Sequence, residues 1–208
     1  RSTIIMSISQ VSETLFILAI PFFLKRFGIK RVMLFSMFAW VLRFGFFAYG
    51  IPEGYGLGLI IMSCIVYGMA FDFFNISGSL FVETTTDKKI RSSAQGLFMM
   101  MTNGFGAVFG SYIAGWAIDK FFTHRFTNVT ELSSYLETTP DNQSFVKILK
   151  ESFHSAVNPD GTLSSVVMMK DWHNIWLSFA AYALVLAILF WVLFKHEHNP
   201  AELKEINH

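Results

Sequence analysis

Residues 21–32 read PFFLKRFGIKRV. Four basic side chains, Lys25, Arg26, Lys30 and Arg31, surround one glycine, Gly28, and mostly apolar runs lie on both sides. About 20 such residues let one α-helix cross the ~30 Å hydrocarbon core of a bilayer. A basic turn between two such runs reads as the short loop of a hairpin whose arms cross a membrane. Its Lys and Arg place that loop on the cytoplasmic side.

Working outward, the first span runs from about Thr3 to Leu24 and the second from about Val32 to Gly50. The same length test predicts spans near Gly56–Val82, Ser92–Ile118 and Ile175–Phe194, five in all. The 83–91 loop, ETTTDKKIR, and the tail that opens KHEHNPAELK are cytoplasmic by the charge rule, whereas YGIPEGYG at 49–56 has no Lys or Arg and lies outside. Four regions follow: spans I–IV over 1–118, an extracytoplasmic loop over 119–174, span V over 175–194 and a cytoplasmic tail over 195–208. Within the long loop Phe145, Ile148, Leu149 and Phe153 recur at helical spacing and predict a short surface helix.

Composition agrees with an all-α integral membrane protein. Hydrophobic residues make up 53% and charged ones only 15%, against about 25% charged in an ordinary soluble domain. Net charge of +1 gives no case for a nucleic-acid partner. The six histidines are scattered and the one cysteine, Cys64, stands in an apolar run, so neither a metal site nor another cofactor is expected. No phosphate-loop, G-x-S-x-G or H-E-x-x-H pattern occurs, so neither an ATP-driven pump nor a hydrolase has support, and an enzyme is not expected. The start at Arg1, without an initiator Met, is what a fragment of a longer protein would show.

Three ionisable residues fall deep inside the spans: Glu13, Arg43 and Asp72. A charge at a helix centre costs about 2.5–3.5 kcal/mol on insertion scales, so each needs a reason. Glu13 lies twelve residues before Lys25, Arg43 twelve after Arg31, and Asp72 eleven before Glu83. At 1.5 Å per residue these are depths of roughly 16–18 Å, near one plane. Arg43 and Asp72 are then expected to form a structural ion pair between spans II and III. Glu13 has no basic partner in view, which points to function. Gln10, three residues earlier, shares its face. In span III, Tyr67, Phe71 and Phe74 form one stripe, and Gly68, Asp72, Asn75 and Ser79 the next. An aromatic shelf beside polar groups suits a flat, polar ring. In a chain with 24 Phe, ordinary aromatic packing is the competing reading. The glycines of span IV, with Gln95 and Asn103, read as helix packing.

The loop at 21–31 resembles the cytoplasmic-loop motif of the major facilitator superfamily, G-x-x-x-D-[RK]-x-G-[RK]-[RK]. Arg26, Gly28, Lys30 and the following Arg31 fit its basic end, while Pro21 and Lys25 replace its usual Gly and Asp. SISQVSETLFILAIPFFL (7–24), VYGMAFDFFNISGSLFVE (66–83) and SAQGLFMMMTNGFG (93–106) resemble the nucleoside:proton symporter subfamily, and the likeness runs from Ser2 to Lys195. The resemblance implies five helices, the eighth to twelfth of a twelve-helix transporter, from its C-terminal six-helix bundle. It implies proton-driven nucleoside uptake across the bacterial inner membrane. Gln10, Glu13, Tyr67 and Phe71 would contact the nucleoside, Glu13 or Asp72 would carry the proton, and a six-helix N-terminal half would complete the site. A transporter of another small polar solute, such as a sugar, and a non-transporting membrane scaffold are the alternatives.

Overall fold

The computed structural model describes residues 2–50, 54–138, 158, 163 and 166–195. Its elements are α1 (Ser2–Tyr49), α2 (Tyr55–Thr85), α3 (Arg91–Met99), a π-helical turn (Met100–Phe105), α4 (Gly106–Phe121), β1 (Thr123–Phe126), α5 (Val129–Thr138), β2 (Val167–Lys170) and α6 (Trp172–Leu193). Four helical runs among the described residues are long and apolar enough to cross a membrane: Ser7–Tyr49, Tyr55–Thr85, Arg91–Phe121 and Trp172–Leu193.

The first of these, at 43 residues, is about twice the length of one span. It is broken at Gly28, whose φ of 76° and ψ of 168° are open essentially only to glycine. The contacts with α2 show what the break does. In the arm before Gly28, the Ser12 hydroxyl donates to the Ile65 carbonyl at 2.6 Å, and Phe16 and Phe23 pack on Phe73 with centroids 5.9 and 5.2 Å away. In the arm after it, the Ser36 hydroxyl donates to the Ala70 carbonyl, and the Ser63 hydroxyl to the Arg43 carbonyl at 3.4 Å. Residue numbers rise together along the first arm and α2, and oppositely along the second arm and α2. The chain therefore turns back at Gly28, as the basic loop predicts.

The apolar core sits beside this bend. Ile20, Leu24, Ile29, Val32, Met33 and Phe73 are buried together, with Phe23, Phe27 and Phe35 packed on them. The last helix, α6, lies antiparallel to the second arm. Trp176 meets Phe44 and Phe47 near its start, at 6.0 and 5.0 Å, and His173 Nδ1 is 2.8 Å from the Ala48 carbonyl. Asp171 caps α6 by accepting from the Asn174 backbone N–H at 3.2 Å.

The 119–174 region holds α5 and an antiparallel β1–β2 pair in which Thr123 faces Lys170. Phe126, Leu132, Leu136 and Met169 make a small core there, and Lys170 pairs with Asp119 at 3.5 Å. Four-residue strands are too short to show a period, so the sequence reading missed them. The helix expected around Phe145–Phe153 lies outside the described residues.

The run Arg91–Phe121 has no buried residue in its most apolar window. It is held to α2 near its start, where Phe98 fills the space above Gly78 and Gln95 bonds Ser79. Its π-helical turn had no sequence signature. Gly96, Gly110 and Gly115, read as a packing face, have nothing within 4 Å of a built Cβ.

Two helix backbones approach closely at Gly68. A Cβ there would stand 2.7 Å from the Glu13 Cα and 2.8 Å from its backbone nitrogen. Backbone cannot yield as a flexible side chain does, so Gly68→Ala forces the helices apart. The expected destabilisation is about 1–3 kcal/mol, read as a lower melting temperature in detergent; an unchanged value would mean the crossing is looser than described.

Candidate substrate site

The close crossing at Gly68 brings one polar face of α1 against one face of α2. Glu13 lies at the crossing itself, half-buried, with Gln10 exposed one turn earlier on the same face. The Thr14 hydroxyl is engaged locally, donating to the Gln10 carbonyl at 3.0 Å. Among the described residues Glu13 has no ion-pair partner.

Tyr67 and Phe71 flank Gly68 on α2. Their rings lie at 6.1 Å between centroids and 27° between planes, and Phe71 is 38% exposed. The near-parallel pair is the aromatic shelf read from the i, i+4 spacing. Beside it, Asp72 is only 7% exposed, and its Oδ2 has no hydrogen-bond partner among the described residues. The rest of the polar row is occupied. Asn75 Nδ2 donates to the Phe71 carbonyl at 3.0 Å. The Ser79 hydroxyl donates to Gln95 Oε1 at 2.9 Å, and Gln95 Nε2 returns a bond to the Ser79 carbonyl at 2.6 Å. Gln95 is therefore a clamp between α2 and α3. Asp72 stays free of such bonds.

The expected Arg43–Asp72 ion pair does not form. Arg43 is level with Ser63 on α2, nine residues from Asp72, or roughly 13 Å of helix. Counting depth from the basic loops placed Arg43 too near the others, because the two ends of the loops need not lie at one height. The Arg43 guanidinium sits instead over the Tyr67 ring, 4.0 Å from its centroid, with Trp40 and Phe47 each at 5.4 Å. Cation–π attraction of this kind is worth about 0.5–2 kcal/mol. Arg43 Nη1 is buried without a hydrogen-bond partner among the described residues. Trp40 and Phe47 were missed by the sequence reading, although their spacing from Arg43, three before and four after, puts all three on one helix face.

The loop residues Arg26, Gly28, Lys30 and Arg31 cluster at the α1 bend, far along the helix from Glu13. A cavity of about 570 Å³ lies along α1 by Ile8, Val11, Leu15 and Ala19. Its wall is almost wholly apolar and has little with which to read a polar solute.

A family model described as Nucleoside H+ symporter matches residues 1–139. The chain belongs to this family. Xanthosine permease of Escherichia coli K12 is 48% identical over 202 residues, which cover 97% of this chain and 38% of that protein. Nucleoside permease NupG of the same organism is 44% identical over 210 residues, covering 100% of this chain and 40% of NupG. A crystal structure of nucleoside transporter NupG matches with a TM-score of 0.66 at 44% identity, over 94% of this chain and 38% of that one. The chain thus spans about two fifths of the length of these relatives.

The geometry of this nucleoside-symporter chain separates two couplings. Arg43→Met and Tyr67→Leu are expected to be non-additive by about 0.5–2 kcal/mol in a thermal-stability double-mutant cycle. Arg43→Met and Asp72→Asn should add within about 0.5 kcal/mol. The reverse pattern would restore the ion pair.

Proposed function

We propose that this chain is the C-terminal half of a twelve-helix, proton-coupled nucleoside transporter of the bacterial inner membrane. In this reading the two arms of α1 cross the bilayer separately, so the chain contributes five helices, the eighth to twelfth. The α1 bend, the 83–91 loop and the tail face the cytoplasm, and the 119–174 region faces out. A preceding six-helix half closes the site. A match over 38–40% of the relatives' length supports a chain that is part of a longer transporter.

The observation that carries the reading is the close approach of Gly68 to the Glu13 backbone, with the stacked Tyr67–Phe71 pair on the same helix as that glycine. The base of a nucleoside is a flat π-system that stacks on such a shelf. Gln10 and Glu13 offer an amide and a carboxylate to the hydroxyls or ring edge. A sugar alone has no π face, so the shelf favours a nucleoside. Glu13 is the substrate-holding carboxylate and Asp72 the proton carrier. A bare carboxylate is costly away from water, so protonation of Asp72 is tied to how open its surroundings are.

Two substitutions in the complete transporter test these roles. Glu13→Gln should raise the KM for uridine by about tenfold or more, since a hydrogen bond to a charged group contributes roughly 1.5–3 kcal/mol. Asp72→Asn should abolish uphill uptake driven by a pH gradient while leaving nucleoside exchange between loaded vesicles. Uphill uptake that survives in Asp72→Asn and is lost in Glu13→Gln would transfer the proton to Glu13. Wild-type KM in Glu13→Gln would remove it from substrate binding.

A further inference from the structure

Two cavities meet on the flank of α1 that faces α6. One, of about 250 Å³, is an apolar groove between Leu34 and Phe38 of α1 and Ile188 and Trp191 of α6. The other, of about 370 Å³, lies at the Gly28 bend and is the more polar, with Lys30 and Arg31 in its wall. Arg31, Leu34 and Trp191 line both, so the two are adjacent. Phe38, Ile188 and Trp191 are 47%, 49% and 63% exposed, which leaves the groove open along the helices.

Among the described residues neither Lys30 nor Arg31 lies within ion-pair distance of a carboxylate. In the other basic loop one cation, Arg91, pairs with Glu83 at 3.7 Å. Bare cations above an apolar groove, in a chain made of membrane spans, fit a ligand with two parts: an anionic head and a hydrocarbon chain. We propose that this flank binds an anionic phospholipid, with its phosphate on Lys30 and Arg31 and the upper part of one acyl chain between α1 and α6. From Arg31 to Phe38 the groove follows seven residues, about 10 Å of helix. Trp191 stands at the junction, the level at which an indole belongs in a bilayer. A zwitterionic lipid offers the same chain but cancels the headgroup charge, so two basic side chains should favour the anionic lipid roughly tenfold.

Trp191 reports the site. The complete transporter is placed in phosphatidylcholine vesicles that contain a small fraction of acyl-brominated phosphatidylglycerol or acyl-brominated phosphatidylcholine. Fluorescence quenched in the parent protein but not in Trp191→Phe is assigned to Trp191. The expected result is half-maximal quenching at roughly tenfold lower fraction of the glycerol lipid, with no effect of millimolar inorganic phosphate. The preference should vanish in Lys30→Gln/Arg31→Gln. Ile188→Phe, which narrows the groove at an exposed position, should weaken quenching by the glycerol lipid even if the double variant does not fold. Equal quenching by both lipids in the parent would overturn the proposal and leave ordinary boundary lipid. So would a preference that survives Lys30→Gln/Arg31→Gln, unchanged quenching in Ile188→Phe, or competition by inorganic phosphate, which would mark a free-anion site.

Discussion

The site rests on how closely two helices approach at Gly68. A side chain there would strike the backbone of Glu13, so the approach exists only because the residue has none. Everything proposed for the substrate follows from it. The stacked aromatics Tyr67 and Phe71 stand on the helix that meets the Glu13 backbone at this glycine. In lipid, where no hydrophobic force draws helices together, such close packing is a main source of association. The hydroxyls of Ser12, Ser36 and Ser63 add bonds to carbonyls of facing helices at three levels.

The deep charges Arg43 and Asp72 are handled differently. Arg43 is held by aromatic faces, chiefly Tyr67, and not by an acid. That arrangement places a cation over the Tyr67 ring without pairing it with Asp72. Asp72 is buried, with one oxygen unsatisfied among the described residues. A structural lock would satisfy its groups.

The helical fold was largely legible because the bilayer imposes a length on each apolar run and a sign on each short loop. The bend at Gly28 followed from four basic residues around one glycine. The shelf and the Gln10–Glu13 face followed from helical spacing alone. Relations between helices were not legible. The depth of Arg43 depends on the register of its helix against α2, which residue counts from loops do not fix. Its true partners were visible in principle, because Trp40 and Phe47 share its face. The β1–β2 pair and the π-helical turn of the Arg91–Phe121 run escaped because each is only four to six residues long.

A crystal structure of the complete transporter with uridine bound tests the central claim most directly. The account predicts the base ring stacked on Tyr67 or Phe71 at about 3.5–4.0 Å, with an oxygen or nitrogen of the nucleoside within hydrogen-bond distance of Gln10 or Glu13. A nucleoside held away from both the shelf and the Gln10–Glu13 face would contradict it.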